Sequence, residues 1–272
     1  MLVALLSLLL ILQPPPPPTN THATVTVRTD VGWVGPSQSF NILVIITPDD
    51  GWHVYWKDSG ASGAPTECAV TAPAGYKVGK PIFPRPTVFE EKEGATYGYD
   101  KQVAIFIPVT SPEHIHSNEA TFEVNTFWLA CKKICVIGEQ ENKLTLSANQ
   151  TTVGPPHRDM QLVRWKKLLP KNISELKEAK TVLRGNTIQI TGTTTKKQIS
   201  FIGIEQPGVR FLESPVQYTD NDHFVLTVTM ELDFLAANTD SIPIEGLLLV
   251  GSNDNDPCYV VQDVAKLVTN TK

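Results

Sequence analysis

Several features are missing from this 272-residue chain, and each absence excludes a class of function. It has no Lys/Arg-rich run, and its net charge is -5, so nucleic acid and anionic membrane surfaces are poor partners. It has no C-x-x-C, the usual signature of a thioredoxin-like redox site and of many zinc sites. After the first dozen residues no apolar run approaches the roughly 20 residues a membrane helix needs. No self-similarity at 20–50 residues is present, which argues against solenoids and propellers. Charged residues make up only 19% and hydrophobic residues 41%, a globular rather than a disordered composition.

What is present begins with an apolar run. Leu2 to Leu12 is interrupted only by Ser7, too short to span a bilayer but fitting the core of an export signal. Thr21-His22-Ala23 supplies a small-residue cleavage site, so residues 1–23 read as a signal peptide. No Lys or Arg precedes the run, and no Cys follows it closely, so a lipid anchor is not indicated. The expectation is an exported protein, soluble after cleavage. Export allows disulfides, and four cysteines are present: Cys68, Cys131, Cys135 and Cys258.

From Thr24 onward, short runs rich in Val, Ile, Thr, Phe and Tyr recur between Gly/Pro/Asn/Asp clusters. Thr24–Thr29, Phe40–Thr47, Gln102–Val109, Ala120–Cys131 and Lys143–Ser147 read as strands, at the spacing of an all-β sandwich. Asp159 to Leu169 carries Met160, Val163, Leu168 and Leu169 at near-helical spacing, and Pro170 ends it. Asn172 and Glu175 resemble a capping box, predicting a short helix through Lys180. Strand patterns resume after Gly185, at Thr187–Thr191, Gln198–Ile204, His223–Thr229, Gly246–Val250 and Tyr259–Val264. The predicted organisation is therefore a β-sandwich at 24–150, a helical connector at 151–184, and a second, smaller β-sandwich at 185–272. No catalytic motif stands out in the second sandwich, which reads as a spacer or docking domain.

The chemistry-bearing segment is Phe127-Trp128-Leu129-Ala130-Cys131-Lys132-Lys133-Ile134-Cys135-Val136. Cysteines at i and i+4 can meet on one face of a helical turn or across the tip of a hairpin. A ring this small stabilises a fold modestly, so a bond that is made and broken fits it better than a staple. Lys132 and Lys133 would favour thiolate, the attacking species. Two other readings stay open: an inert structural disulfide, and a soft copper or zinc site using Cys131 and Cys135 with His114 or His116. Trp52, Tyr55 and Trp56 read as strand packing. Cys68 and Cys258 read as buried, inert thiols.

Several ordered motifs resemble one family. Gly51-Trp52-His53-Val54-Tyr55-Trp56-Lys57 is followed by Ser59-Gly60 and Gly63-Ala64-Pro65-Thr66-Glu67. Pro81-Ile82-Phe83-Pro84-Arg85-Pro86, Tyr97-Gly98-Tyr99, and Trp128 through Cys135 with Gly138-Glu139 come after. Together they resemble the N-terminal domain of the DsbD thiol:disulfide interchange proteins, in the branch associated with copper tolerance. The resemblance covers about residues 30 to 150. It implies an immunoglobulin-like sandwich in the periplasm, with no cofactor. Its cysteine pair would take electrons from a membrane-embedded donor and pass them to oxidised, thioredoxin-like periplasmic proteins. It also implies a cap over the pair, matched by position to Phe89–Tyr97, with Phe89, Glu90, Glu91 and Tyr97 as shielding or proton-handling residues. This chain has neither the family's membrane conduit nor its thioredoxin-like domain, so its reducing equivalents are expected to come from a separate protein.

Overall fold

The computed structural model describes residues 21–204, 206–213, 215–219, 222–233 and 241–266. The apolar run of the expected signal peptide lies outside the described residues. The first half is built of β1 (Ala23–Thr29), β2 (Ser39–Pro48), β3 (His53–Gly60), β4 (Glu67–Thr71), β5 (Lys77–Val78), β6 (Thr87–Glu91), β7 (Gly94–Tyr99), β8 (Val103–Thr110), β9 (Glu119–Cys131) and β10 (Cys135–Ser147). These strands make two antiparallel sheets, β1-β2-β8-β5 and β10-β9-β3-β7-β6, with β4 also pairing with β9.

The two sheets face each other because their sequences alternate. Along β9, Ala120, Phe122, Val124, Trp128 and Ala130 point inward, against Ile42, Val44 and Ile46 of β2 and Ile105 and Ile107 of β8. Each fully buried side chain of this size contributes roughly 1.5–3 kcal/mol. Strand β2 does not alternate: Ile42 to Ile46 is buried throughout. Its second face, Leu43 and Ile45, joins Ala104 and Phe106 of β8 under the helix α1 (Met160–Lys167).

The helix starts where Asp159 accepts from the Gln161 backbone N–H at 2.7 Å. It sits on the sheet through Leu162 and Trp165. Met160 and Val163, which carried the helical pattern in the sequence, are exposed instead. The tryptophan, with its larger apolar area, sets the buried stripe. The connector holds less helix than its sequence suggests. The Asn172/Glu175 capping box forms, but around a single 3-10 turn at Ile173–Glu175.

The second half comprises β11 (Lys171–Asn172), β12 (Lys180–Arg184), β13 (Thr187–Thr193), β14 (Ile199–Gly203), β15 (Val209–Glu213), β16 (Gln217–Tyr218), β17 (His223–Leu232), β18 (Ser241–Val250) and β19 (Cys258–Lys266). Their sheets run β11-β19-β18-β14 and β12-β13-β17-β15, with β16 on β17. Strand β12 therefore belongs to the second pair of sheets rather than to a helical connector.

The run Leu247-Leu248-Leu249-Val250 explains how the halves meet. Leu248 and Val250 face the second core with Ile242 and Ile244. Leu247 and Leu249 face the other way, with Ile202 and Cys258, and join the core of the first half. One sheet is thus apolar on both faces, as strands covered on both sides are. Arg85, also buried, fastens the contact by donating to the carbonyl oxygens of Gly251 and Pro257. Lys101–Asp254 and Lys57–Glu245 pair across the rim, each at 2.7 Å.

Candidate functional site

The cysteine pair lies at the tip of the β9–β10 hairpin. Cys131 ends one strand, Cys135 begins the next, and the two are direct partners in the ladder. They form a disulfide, with Cα atoms 4.2 Å apart. Of the two geometries open to the spacing, the structure adopts the hairpin tip. The loop is closed by the Lys132 N–H donating to the Ile134 carbonyl at 3.1 Å. The two cysteines sit in different surroundings. Cys131 is buried, at 4% exposure, and Cys135 is exposed.

Which face carries the bond follows from pairing. Ala130 and Val54 are partners and both point into the core; Cys131 and His53 are the adjacent partners and point outward. The outer face of this sheet therefore presents a row of Cys135, Cys131 and His53 across three strands. The His53 ring stacks on Phe89 at 4.8 Å between centroids and meets Tyr55 edge-on at 5.2 Å. Its Nε2 is buried without a hydrogen-bond partner. Burial lowers its pKa below the ordinary 6.5, partly opposed by the charges of Glu91 and Asp100. Tyr55 is held in place from behind: its carbonyl accepts from Thr66 Oγ1 at 2.6 Å. Gly63, at φ +91°, approaches its ring where a Cβ would come within 2.3 Å.

The segment matched to the family cap is the β6–β7 hairpin, and its two faces do different things. Phe89 stacks on His53, beside the cysteine pair, and Glu91 accepts from Thr96 Oγ1 at 3.2 Å. Glu91 is close enough to raise the pKa of Tyr55 after burial has done so. Tyr97 lies on the opposite face, packed edge-on against the buried Trp56 at 6.3 Å. With Val88 and Glu90 it lines a cleft against Phe201, Phe211 and Glu213 of the second half. The cap assignment thus divides: Phe89 and Glu91 face the pair's side of the sheet, while Glu90 and Tyr97 face away from it. A period-two ribbon imposes this split.

Neither lysine of the loop has a recorded contact with the sulfurs. Lys132 Nζ donates to the Asp50 carbonyl at 3.2 Å, and Lys133 is exposed. His114 and His116 precede β9, at the far end of a strand whose other end is Cys131. At about 3.3 Å per residue they are roughly 40 Å from the cysteines. The metal reading with Cys131 and Cys135 is therefore not assembled, and no metal-holding group of three His, Cys, Asp or Glu occurs among the described residues. Cys68 and Cys258 are free thiols, and burial pushes both up to about 12. His53 was passed over in the sequence as part of an aromatic strand. The signal that could have found it is parity: Val54 and Trp56 are core-facing, so His53 is outward.

Residues 22–147 match the family model for the thiol:disulfide interchange protein DsbD, N-terminal. The match spans just under half of the chain. The Cys131–Cys135 hairpin and the β6–β7 hairpin both fall inside the matched segment. No curated protein sequence matches the chain. Among solved structures, the N-terminal periplasmic domain of ScsB from Proteus mirabilis superposes with a TM-score of 0.61 at 19% identity. That match covers 92% of this chain and 96% of the other, so the fold similarity extends over both halves. No described helix is long and apolar enough to cross a membrane.

Proposed function

We propose that this chain is a periplasmic thiol:disulfide interchange module that relays reducing equivalents through Cys131 and Cys135. The observation that carries the reading is the asymmetric pair: a cross-strand disulfide at a hairpin tip, with one cysteine exposed and the other buried. A partner thiolate can approach Cys135 from solvent and release Cys131 inside the site. In the opposite direction, Cys135 attacks a partner disulfide and Cys131 resolves the mixed disulfide. The partners are a membrane-embedded electron donor and oxidised thioredoxin-like proteins. The periplasmic setting is supported by the family, by the periplasmic domain it superposes on, and by the apolar run at Leu2–Leu12.

The test is a trapping pair. Cys131→Ser, which keeps the exposed thiol, should accumulate a mixed disulfide with an oxidised thioredoxin-like protein. Cys135→Ser should accumulate little. Adducts from Cys135→Ser alone would reverse the roles, and adducts from neither would defeat the redox reading.

A further inference from the structure

We propose that His53 is the base that activates Cys131 when Cys131 resolves a mixed disulfide on Cys135. This deepens the exchange reading above and rests on it. Three observations carry it. His53 and Cys131 are direct ladder partners with side chains on the same, outward face. The Cβ atoms of such partners are about 4.5–5.5 Å apart, within reach of an imidazole. Nε2 of His53 is buried and has no hydrogen-bond partner, while the Phe89 and Tyr55 rings hold the imidazole in place.

The chemistry explains why such a group is useful. Cys131 is buried, and burial disfavours the thiolate that must attack. Cys135, in water, has no such need. In the Nδ1–H tautomer, His53 offers its free lone pair at Nε2. The proton of the Cys131 thiol passes to Nε2. The sulfur's electron pair forms the Cys131–Cys135 bond, and the pair of the broken bond leaves on the partner's sulfur. The cysteine pair is oxidised by two electrons and the partner reduced by two. The proton on His53 then goes to the departing thiolate or to water. Running backward, His53⁺ protonates Cys131 as it is released.

The ionisable neighbours act in both directions. Burial keeps the imidazole neutral at pH 7, ready to accept. Glu91 from β6 and Asp100 after β7 favour the imidazolium once the proton has moved. Tyr55 on the same strand has its pKa raised and stays neutral. Lys132, on the hairpin loop, is turned to the Asp50 carbonyl.

The test uses the reduced protein and the aromatic disulfide 5,5′-dithiobis(2-nitrobenzoate). Attack by Cys135 releases one coloured thiolate, and attack by Cys131 on the resulting mixed disulfide releases a second. Cys68 and Cys258, at about 12, react too slowly at neutral pH to interfere. His53→Phe should leave the first phase unchanged and slow the second by about 100-fold, the low end of what a positioned base supplies. The wild-type second phase should be flat above pH 6.5, whereas that of His53→Phe should rise about tenfold per pH unit to pH 8.5. His53→Gln should behave like His53→Phe, and free imidazole should partly restore a His53→Gly chain. A second phase that keeps its rate and pH profile in these variants overturns the proposal. So does a wild-type second phase that itself rises tenfold per unit, a result that needs no variant to fold. Absence of the first phase in the wild type would instead defeat the exchange reading beneath it.

Discussion

Reducing the Cys131–Cys135 bond should destabilise the fold by only about 2 kcal/mol. The bond closes a ring of five residues, from Cys131 through Cys135. With loop-closure entropy of about -2.1 - 1.5R ln n cal/mol/K, n of five corresponds to about 2 kcal/mol at 25 °C. The hairpin does not depend on the bond, because twelve ladder pairs, from Val136↔Ala130 to Ser147↔Glu119, continue beneath it. Trp128 and Phe122, both buried, anchor those pairs in the core. In redox terms 2 kcal/mol is about 40 mV for a two-electron couple, a small bias toward the oxidised form. The assay is urea unfolding of the oxidised and reduced protein, followed by tryptophan fluorescence, with the slope m held common to both fits. A reduced protein that is unfolded without denaturant, or a difference above about 4 kcal/mol, would mean the bond is a staple; the ring-entropy reasoning would then be wrong.

Two further outcomes test the framework around the site. Arg85→Met removes two charge-assisted hydrogen bonds to Gly251 and Pro257 and leaves both carbonyls without that donor. A loss of about 3 kcal/mol is expected, measured by thermal or urea unfolding, and a change below about 1 kcal/mol would show the clamp to be dispensable. Gly138→Ala should destabilise by several kcal/mol, on the order of an overpacked core or more. A Cβ there would lie 2.1 Å from the Trp128 ring, whose Nε1 donates to the Thr21 carbonyl. Near-wild-type stability in that variant would refute the packing described for Trp128.

Much of this was legible in the sequence where side-chain periodicity is simple. Partial alternation in Ala120–Cys131 predicted a strand, and β9 is there. Elsewhere the pattern misled for physical reasons. Lys143–Ser147 looked like a short strand, yet β10 runs from Cys135, because an edge strand paired along its full length tolerates polar residues on its exposed face. Residues 21–23, read as a cleavage site, are built into the fold. His22 stacks on Trp52 at 3.5 Å, the Asp49 N–H donates to the His22 carbonyl, and β1 begins at Ala23. Glu90 and Tyr97 were grouped with Phe89 and Glu91 because position in a segment does not reveal the face of a ribbon. His53 emerged only once the β3–β9 register was known. Pairing between strands nearly 80 residues apart is a tertiary fact that no local window carries.

If Cys131 and Cys135 exchange electrons with dithiol partners, their reduction potential must lie in the range those partners span. Equilibrating the protein in glutathione and dithiothreitol buffers, with alkylation to count free thiols, gives the value. A potential above about -300 mV, within reach of periplasmic dithiols, is expected. A potential well below that, with reduction resisted by every physiological dithiol, would contradict it and leave the bond a structural staple.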